Sequence, residues 1–114
     1  FRDVTGTVLA VGRDLFLTKA GALKARKFGR ERYLLLLADA LRDPDEVWID
    51  WFDAETGPQL RRRYLTTVTL PDRQALLVAF EWGKAGWEGT TAFPPEREAY
   101  LERQRRGALL YRRA

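Results

Sequence analysis

The chain has 114 residues, 46% hydrophobic and 12% aromatic, enough to bury one core, so a single domain over residues 1–114 is expected. Its formal net charge is +4 and it contains no Cys, His or Met. Disulfides, thiolate or imidazole catalysis and Cys- or His-based metal sites are thereby excluded, and neither a metal nor a cofactor is expected.

No apolar run reaches the roughly 18 residues that a membrane span needs. There is also no basic-then-apolar leader at the start. With Phe1 first and no Met, the chain reads as a domain cut from a longer protein.

In chain order, residues 1–14 read as a lead-in arm: a short extended stretch over 4–11 around Gly6, then a turn at Gly12, Arg13 and Asp14. Residues 19–32 hold six basic side chains against Glu31 alone. From Arg30 to Leu41 the apolar residues Tyr33, Leu34, Leu37, Ala38 and Leu41 recur at helical spacing, which predicts a helix packed on a sheet. Pro44 stops that helix, because proline cannot continue the hydrogen-bond ladder and its predecessor avoids the helical region.

Four strand-like runs follow, over 46–52, 61–70, 75–82 and 87–93, rich in Trp, Val, Ile, Thr and Tyr and divided by turn residues. Their spacing is that of an antiparallel meander. Pro94 and Pro95 end it; residues 96–106 read as a surface helix with Tyr100 and Leu101 inward, and Gly107 as its terminator. Residues 108–113 read as a last strand returning to the sheet edge. The predicted fold class is α+β: an N-terminal helix packed on a four- or five-stranded antiparallel sheet, with a late C-terminal helix.

Charge is segregated along the chain. Residues 39–55 carry seven acids against Arg42, whereas the basic residues gather before and into the first helix. Such a dipolar chain suits a polyanion on one side. Arginines number sixteen against four lysines, and the guanidinium fork matches phosphate geometry better than an ammonium does, although coding bias toward Arg gives the same count.

RNA offers its own nucleophile, the 2′-hydroxyl, so a protein that cleaves it need only move protons and stabilise charge on the phosphorane. With His absent, Lys, Arg, Tyr, Asp and Glu are the available groups. Lys24, Arg26, Lys27, Arg30 and Arg32 sit at and before a helix N-terminus, a place that already favours anions. Lys27 and Arg30 are the candidates for the scissile phosphate, one carrying the proton and one stabilising charge. Lys24, Arg26 and Arg32, with Arg105 and Arg106 of the late helix, form the RNA-binding set.

Arg61, Arg62, Arg63 and Tyr64 open a strand, where alternate side chains face opposite ways, so at most two of the three arginines share a face. Arg62 then pairs with Tyr64 and Thr66, and the Arg62/Tyr64 pair, with Thr91, is expected to hold the phosphate or leaving group, while the face each arginine takes stays open. Thr91 ends another strand, and Gln104 is a further candidate by position. Trp48, Trp51, Trp82 and Trp87 are available to stack bases, though core packing is the commoner use of tryptophan.

The run Lys27-x-Gly29-Arg30-x-x-Tyr33-Leu34, the segment from Asp43 to Trp48, the Arg-rich strand to Tyr64, the stretch Thr91-Ala92-Phe93-Pro94 and Gln104-x-x-Gly107-x-Leu109-Leu110-Tyr111 together resemble a phage-associated branch of the barnase/EndoU/colicin/RelE-like nuclease fold. The resemblance covers the chain from about Leu15 onward. Such domains sit at the C-termini of Mu-type head morphogenesis proteins and of polymorphic toxins, including contact-dependent inhibition effectors. The resemblance implies a metal-independent ribonuclease, often aimed at tRNA, that leaves a 2′,3′-cyclic phosphate and is held inactive by a cognate immunity protein. It also implies a secreted, delivered or phage-encoded parent acting in the bacterial cytoplasm.

Thr91-Ala92-Phe93-Pro94 is similar to the Thr-Ala-Tyr-Pro strand of EndoU-type enzymes, whose threonine and tyrosine line the active site. Thr91 carries over; Phe93 lacks the hydroxyl, and the paired histidines of that group are missing. The departure favours Lys/Arg-based chemistry. The rival class is a non-catalytic RNA-binding or head-assembly module on the same fold. A protein-modifying toxin such as an ADP-ribosyltransferase would need a nicotinamide-binding pattern that the sequence lacks.

Overall fold

In the computed structural model the described residues are 1–12, 15, 29–68, 74–84, 86–93 and 102–113. Their elements are β1 (Leu9–Ala10), α1 (Arg30–Arg42), β2 (Glu46–Ala54), β3 (Gly57–Val68), β4 (Gln74–Gly83), β5 (Gly86–Phe93) and β6 (Ala108–Arg112). Residues 102–104 are helical. The rest of the expected late helix, over 96–101, lies outside the described residues.

The β-favouring runs form the expected meander, β2 to β5 pairing antiparallel in sequence order. Two further strands lie at the rims. β6 pairs antiparallel with β2, and β1 pairs parallel with β5 through Leu9 opposite Trp87 and Ala10 opposite Glu88. The sheet is therefore six-stranded, in the order β1-β5-β4-β3-β2-β6, not four- or five-stranded. The helix follows β1 instead of preceding every strand. A two-residue strand is too short to leave a periodic signature in sequence, which is why the first rim was missed.

α1 begins after Gly29, whose φ of 80° suits glycine, and ends at Arg42, where the N–H of Asp43 bonds back to the Asp39 carbonyl. Its buried face is Leu37, Ala40 and Leu41, at i, i+3 and i+4. Leu34, expected on that face, is exposed, as is Leu35. The core joins Leu37, Ala40 and Leu41 to Val47, Tyr64, Val78 and Phe80 of the sheet and to Leu9 and Leu15. Gly89 admits Leu15: a Cβ there would stand 2.6 Å from the Leu15 Cδ1.

The segment read as a lead-in arm contributes β1 and a tight turn. Asp3 N–H donates to the Thr7 carbonyl, Gly6 N–H to the Asp3 carbonyl, and Val4 N–H to the Leu41 carbonyl at the end of α1. The tryptophans divide: Trp51 and Trp82 are 62% and 54% exposed, Trp48 is half-buried, and Trp87, half-buried, packs against the core. Trp82 and Trp87 stand opposite each other on β4 and β5 and meet edge to face.

Candidate nucleic-acid site

The register sorts the chemistry into rows that cross the sheet. Ile49, Arg62, Phe80 and Gly89 form one row; Val47, Tyr64, Val78 and Ala92 form another. Alternating with them are Trp48, Arg63, Ala79 and Thr91, and Asp50, Arg61, Glu81 and Glu88. Neighbouring rows of a pleated sheet belong to opposite faces. The first two rows include the core residues packed under α1, so the last two define the far face.

Arg62 and Tyr64 thus share a face, but it is the core face. Both are engaged by Asp3, whose side chain is 0% exposed. The Asp3 Oδ1 accepts the N–H and hydroxyl of Thr5 and the N–H of Thr7; Oδ2 accepts Arg62 Nη2 at 2.9 Å and the Tyr64 hydroxyl. Arg62 Nε also donates to the Tyr64 oxygen, and Arg62 Nη2 to the Thr5 hydroxyl. Burial alone would raise the Asp3 carboxyl; hydrogen bonds from Tyr64, Thr5 and Thr7 and the charge of Arg62 outweigh it and hold it below its ordinary 3.8. Burial, reinforced by Asp3, pushes the Tyr64 hydroxyl far above the phenol range.

Arg62 and Tyr64, expected with Thr91 to hold the phosphate or leaving group, are placed by the register on the core face. Their donors are committed to a buried carboxylate, and the sheet lies between them and the row of Thr91. Sequence reasoning missed Asp3, because its partners stand 59 and 61 residues away. The parity of Arg62 was legible in principle, since it shares alternation with Tyr64 and Thr66, and a large aromatic at mid-strand belongs in the core.

On the far face, Arg61 Nη2 donates to Glu81 Oε1 at 2.9 Å, and its guanidinium carbon stacks 3.9 Å from the Phe52 ring centroid. Arg63, its side chain only 5% exposed, donates through Nη1 to Asp50 Oδ1. The Nε atoms of Arg61 and Arg63 are both buried without a partner among the described residues. The helical turn reaches the same face: Arg106 Nε lies 3.7 Å from Asp50 Oδ2, and Gln104, two residues before it, is half-buried.

Arg105, expected to bind RNA, is instead tied to carboxylates. Its Nε donates to both oxygens of Glu46, and its Nη1 to Glu102. Burial works against its charge, but these carboxylates more than compensate and hold it protonated. Glu46 also accepts Trp48 Nε1 at 3.0 Å, and Arg112 comes within 3.8 Å of it. This cluster fastens the C-terminal segment to β2.

Of the remaining candidates, Arg32 is exposed on α1, on the helix side of the sheet, apart from this array. Arg30 is the first residue of α1, and Thr91 lies opposite Ala79 in register. Lys24, Arg26 and Lys27 lie outside the described residues. Among the described residues no three of the Asp and Glu side chains cluster in a way that could hold a metal ion, and no helix is long and apolar enough to cross a membrane.

On the far face the arginines are held by carboxylates, Arg61 by Glu81 and Arg63 by Asp50, and Leu65, Leu77 and Ala79 are buried beside them. Searches of curated proteins and of solved structures gave no match. A family match spans residues 1–112, almost the whole chain. On that match, the chain belongs to the family described as phage-Barnase-EndoU-ColicinE5/D-RelE like nuclease2.

Proposed function

We propose that this domain is a metal-independent endoribonuclease that cleaves RNA, with tRNA as the substrate class, by attack of the 2′-hydroxyl on the adjacent phosphate to leave a 2′,3′-cyclic phosphate. Membership of a nuclease family over residues 1–112 is the observation that carries the reading. The choice of RNA is supported by chemistry: with no His and no Cys in the chain, a substrate that brings its own nucleophile makes the smallest demand on the protein.

In this reading Lys27 and Arg30 act at the scissile phosphate, one as proton carrier and one as charge stabiliser, with Thr91 and Gln104 as further candidates. Arg62 and Tyr64 are positioning residues, held by Asp3 beneath the sheet. A cognate immunity protein and delivery of a larger parent into a bacterial cytoplasm complete the proposal, because a free ribonuclease would harm its producer.

Incubating the purified domain with total tRNA in EDTA tests the reading. Fragments ending in cyclic phosphate are expected. Salt-sensitive binding without cleavage would replace the enzyme by a non-catalytic RNA-binding or head-assembly module.

A further inference from the structure

Trp51 and Trp82 stand open to solvent, and neither takes part in the proposed chemistry. With Leu60 and Trp87 they form a row across one end of the sheet. Trp51 is opposite Leu60 and Trp82 opposite Trp87, and the register that sets Arg61 opposite Glu81 brings Leu60 level with Trp82. Gln59 Nε2 donates to the Trp82 carbonyl at 2.9 Å and ties β3 to β4 at this end. Each member lies two positions along its strand from Ile49, Arg62, Phe80 or Gly89, so the row shares the face of the core. Its outer end is uncovered, with Trp51 62% and Trp82 54% exposed, and a continuous apolar row left open in this way marks a binding surface.

The rings are held in place. Trp87 packs against the core, and Trp82 meets it edge to face with centroids 5.3 Å apart, which fixes Trp82 while leaving more than half of it accessible. The Arg62 guanidinium braces Trp87 from 5.9 Å. Neighbouring strands stand about 4.8 Å apart, so Trp51 and Trp82, with β3 between them, are about 10 Å apart and the whole row spans about 14 Å. A short run of nucleotides fits that length, and every base has a π face to lay on an indole whatever its identity. Charges beside the row are mixed: Lys84 is exposed two residues from Trp82, while Asp53 and Glu55 are exposed near Trp51. A stacked base tolerates acids at its edge and a phosphate does not, so the backbone of such a ligand passes on the Lys84 side.

We infer that Trp51 and Trp82, with Trp87 as their anchor, form a stacking platform for the bases of unpaired RNA. The inference rests on the ribonuclease reading for its ligand and adds the form of the substrate: a single-stranded stretch, because bases inside a duplex have no free face to offer the rings.

Fluorescence anisotropy with a single-stranded 2′-O-methyl oligoribonucleotide, which attack by a 2′-hydroxyl cannot cut, tests the platform. Trp51→Ala and Trp82→Ala, each at a position more than half exposed, should weaken binding about fivefold to a hundredfold, the range of one lost base stack. Trp82→Phe should keep part of the affinity, and Trp82→Leu, apolar but without a ring, should not. The same oligonucleotide annealed to its complement should bind with no response to these variants. Stacking carries no charge, so the tryptophan variants should leave the salt dependence of binding unchanged, whereas Lys84→Gln should reduce it. Single-strand affinity unmoved by both Ala variants overturns the platform, as does full affinity in Trp82→Leu. Loss of self-association on gel filtration with RNA binding intact also overturns it, and makes the row a contact between copies of the chain. Tryptophan-dependent binding without cleavage of unmodified RNA keeps the platform and sinks the enzyme; cleavage with tryptophan-independent binding does the reverse.

Discussion

Replacing Asp3 with Ala removes the acceptor for five donors at once and leaves Arg62, its side chain 6% exposed, without its counter-ion beneath the sheet. Breaking a buried pair from one side typically destabilises by about 3–5 kcal/mol, because the surviving charge stays desolvated. With a urea m-value of about 1–3 kcal/mol per M for a domain of this size, the unfolding midpoint should fall by about 2 M. Urea unfolding followed by tryptophan fluorescence reads this directly. The double variant Asp3→Ala with Arg62→Met should recover a large part of the loss, since two apolar groups in place of a buried pair are often tolerated. Losses that simply add, or a single-variant loss below about 1 kcal/mol, would refute the view that Asp3 and Arg62 are one buried unit.

Four other outcomes follow from contacts in this fold. The Asp3 carboxyl sits below its ordinary 3.8 in the folded state, so its contribution is complete above that value and is lost as the pH falls through the lowered one. Tyr64 is raised above 10.0, so stability should also decline once the pH exceeds that value, and Tyr64→Phe should remove the alkaline loss in pH-dependent unfolding. Glu46→Gln weakens the hold on Arg105, Arg112 and Trp48, and should cost about 1–3 kcal/mol and raise amide exchange across Ala108–Arg112 before it affects β3. Gly107→Ala, at φ 83° and with a Cβ that would meet the Ile49 carbonyl oxygen at 2.2 Å, should lower stability by roughly 3 kcal/mol or more, seen as a fall in Tm.

Much of the fold was legible because it is written locally. Pro44 ends α1 where proline must, and the Val-, Thr- and Trp-rich runs became β2 to β5, with Gly57 opening β3 and Gly83 and Gly86 flanking the β4–β5 connection. β6 was legible too, from Leu109, Leu110 and Tyr111 after Gly107. β1 was not, because Leu9 and Ala10 are a strand only by virtue of Trp87 and Glu88. The site was less legible still. Its catalytic set was gathered by residue type, and the sheet divides that set between two faces: Arg62 and Tyr64 with the core, the row of Thr91 with Arg63. Period 2 says that neighbours alternate, but the phase is fixed by where α1 packs, a tertiary fact. Arg105 and Arg106 read as free cations for a similar reason, since the acids that receive them, Glu46 and Asp50, lie more than fifty residues upstream.

The central claim is that the substrate supplies the nucleophile. Two oligonucleotides of one sequence test it, one all-ribose and one with 2′-deoxyribose throughout, each incubated with the domain in EDTA. The account predicts cleavage of the ribose strand alone, with a cyclic phosphate at the new end. Cutting of the deoxyribose strand at a comparable rate, or of neither strand, would contradict it.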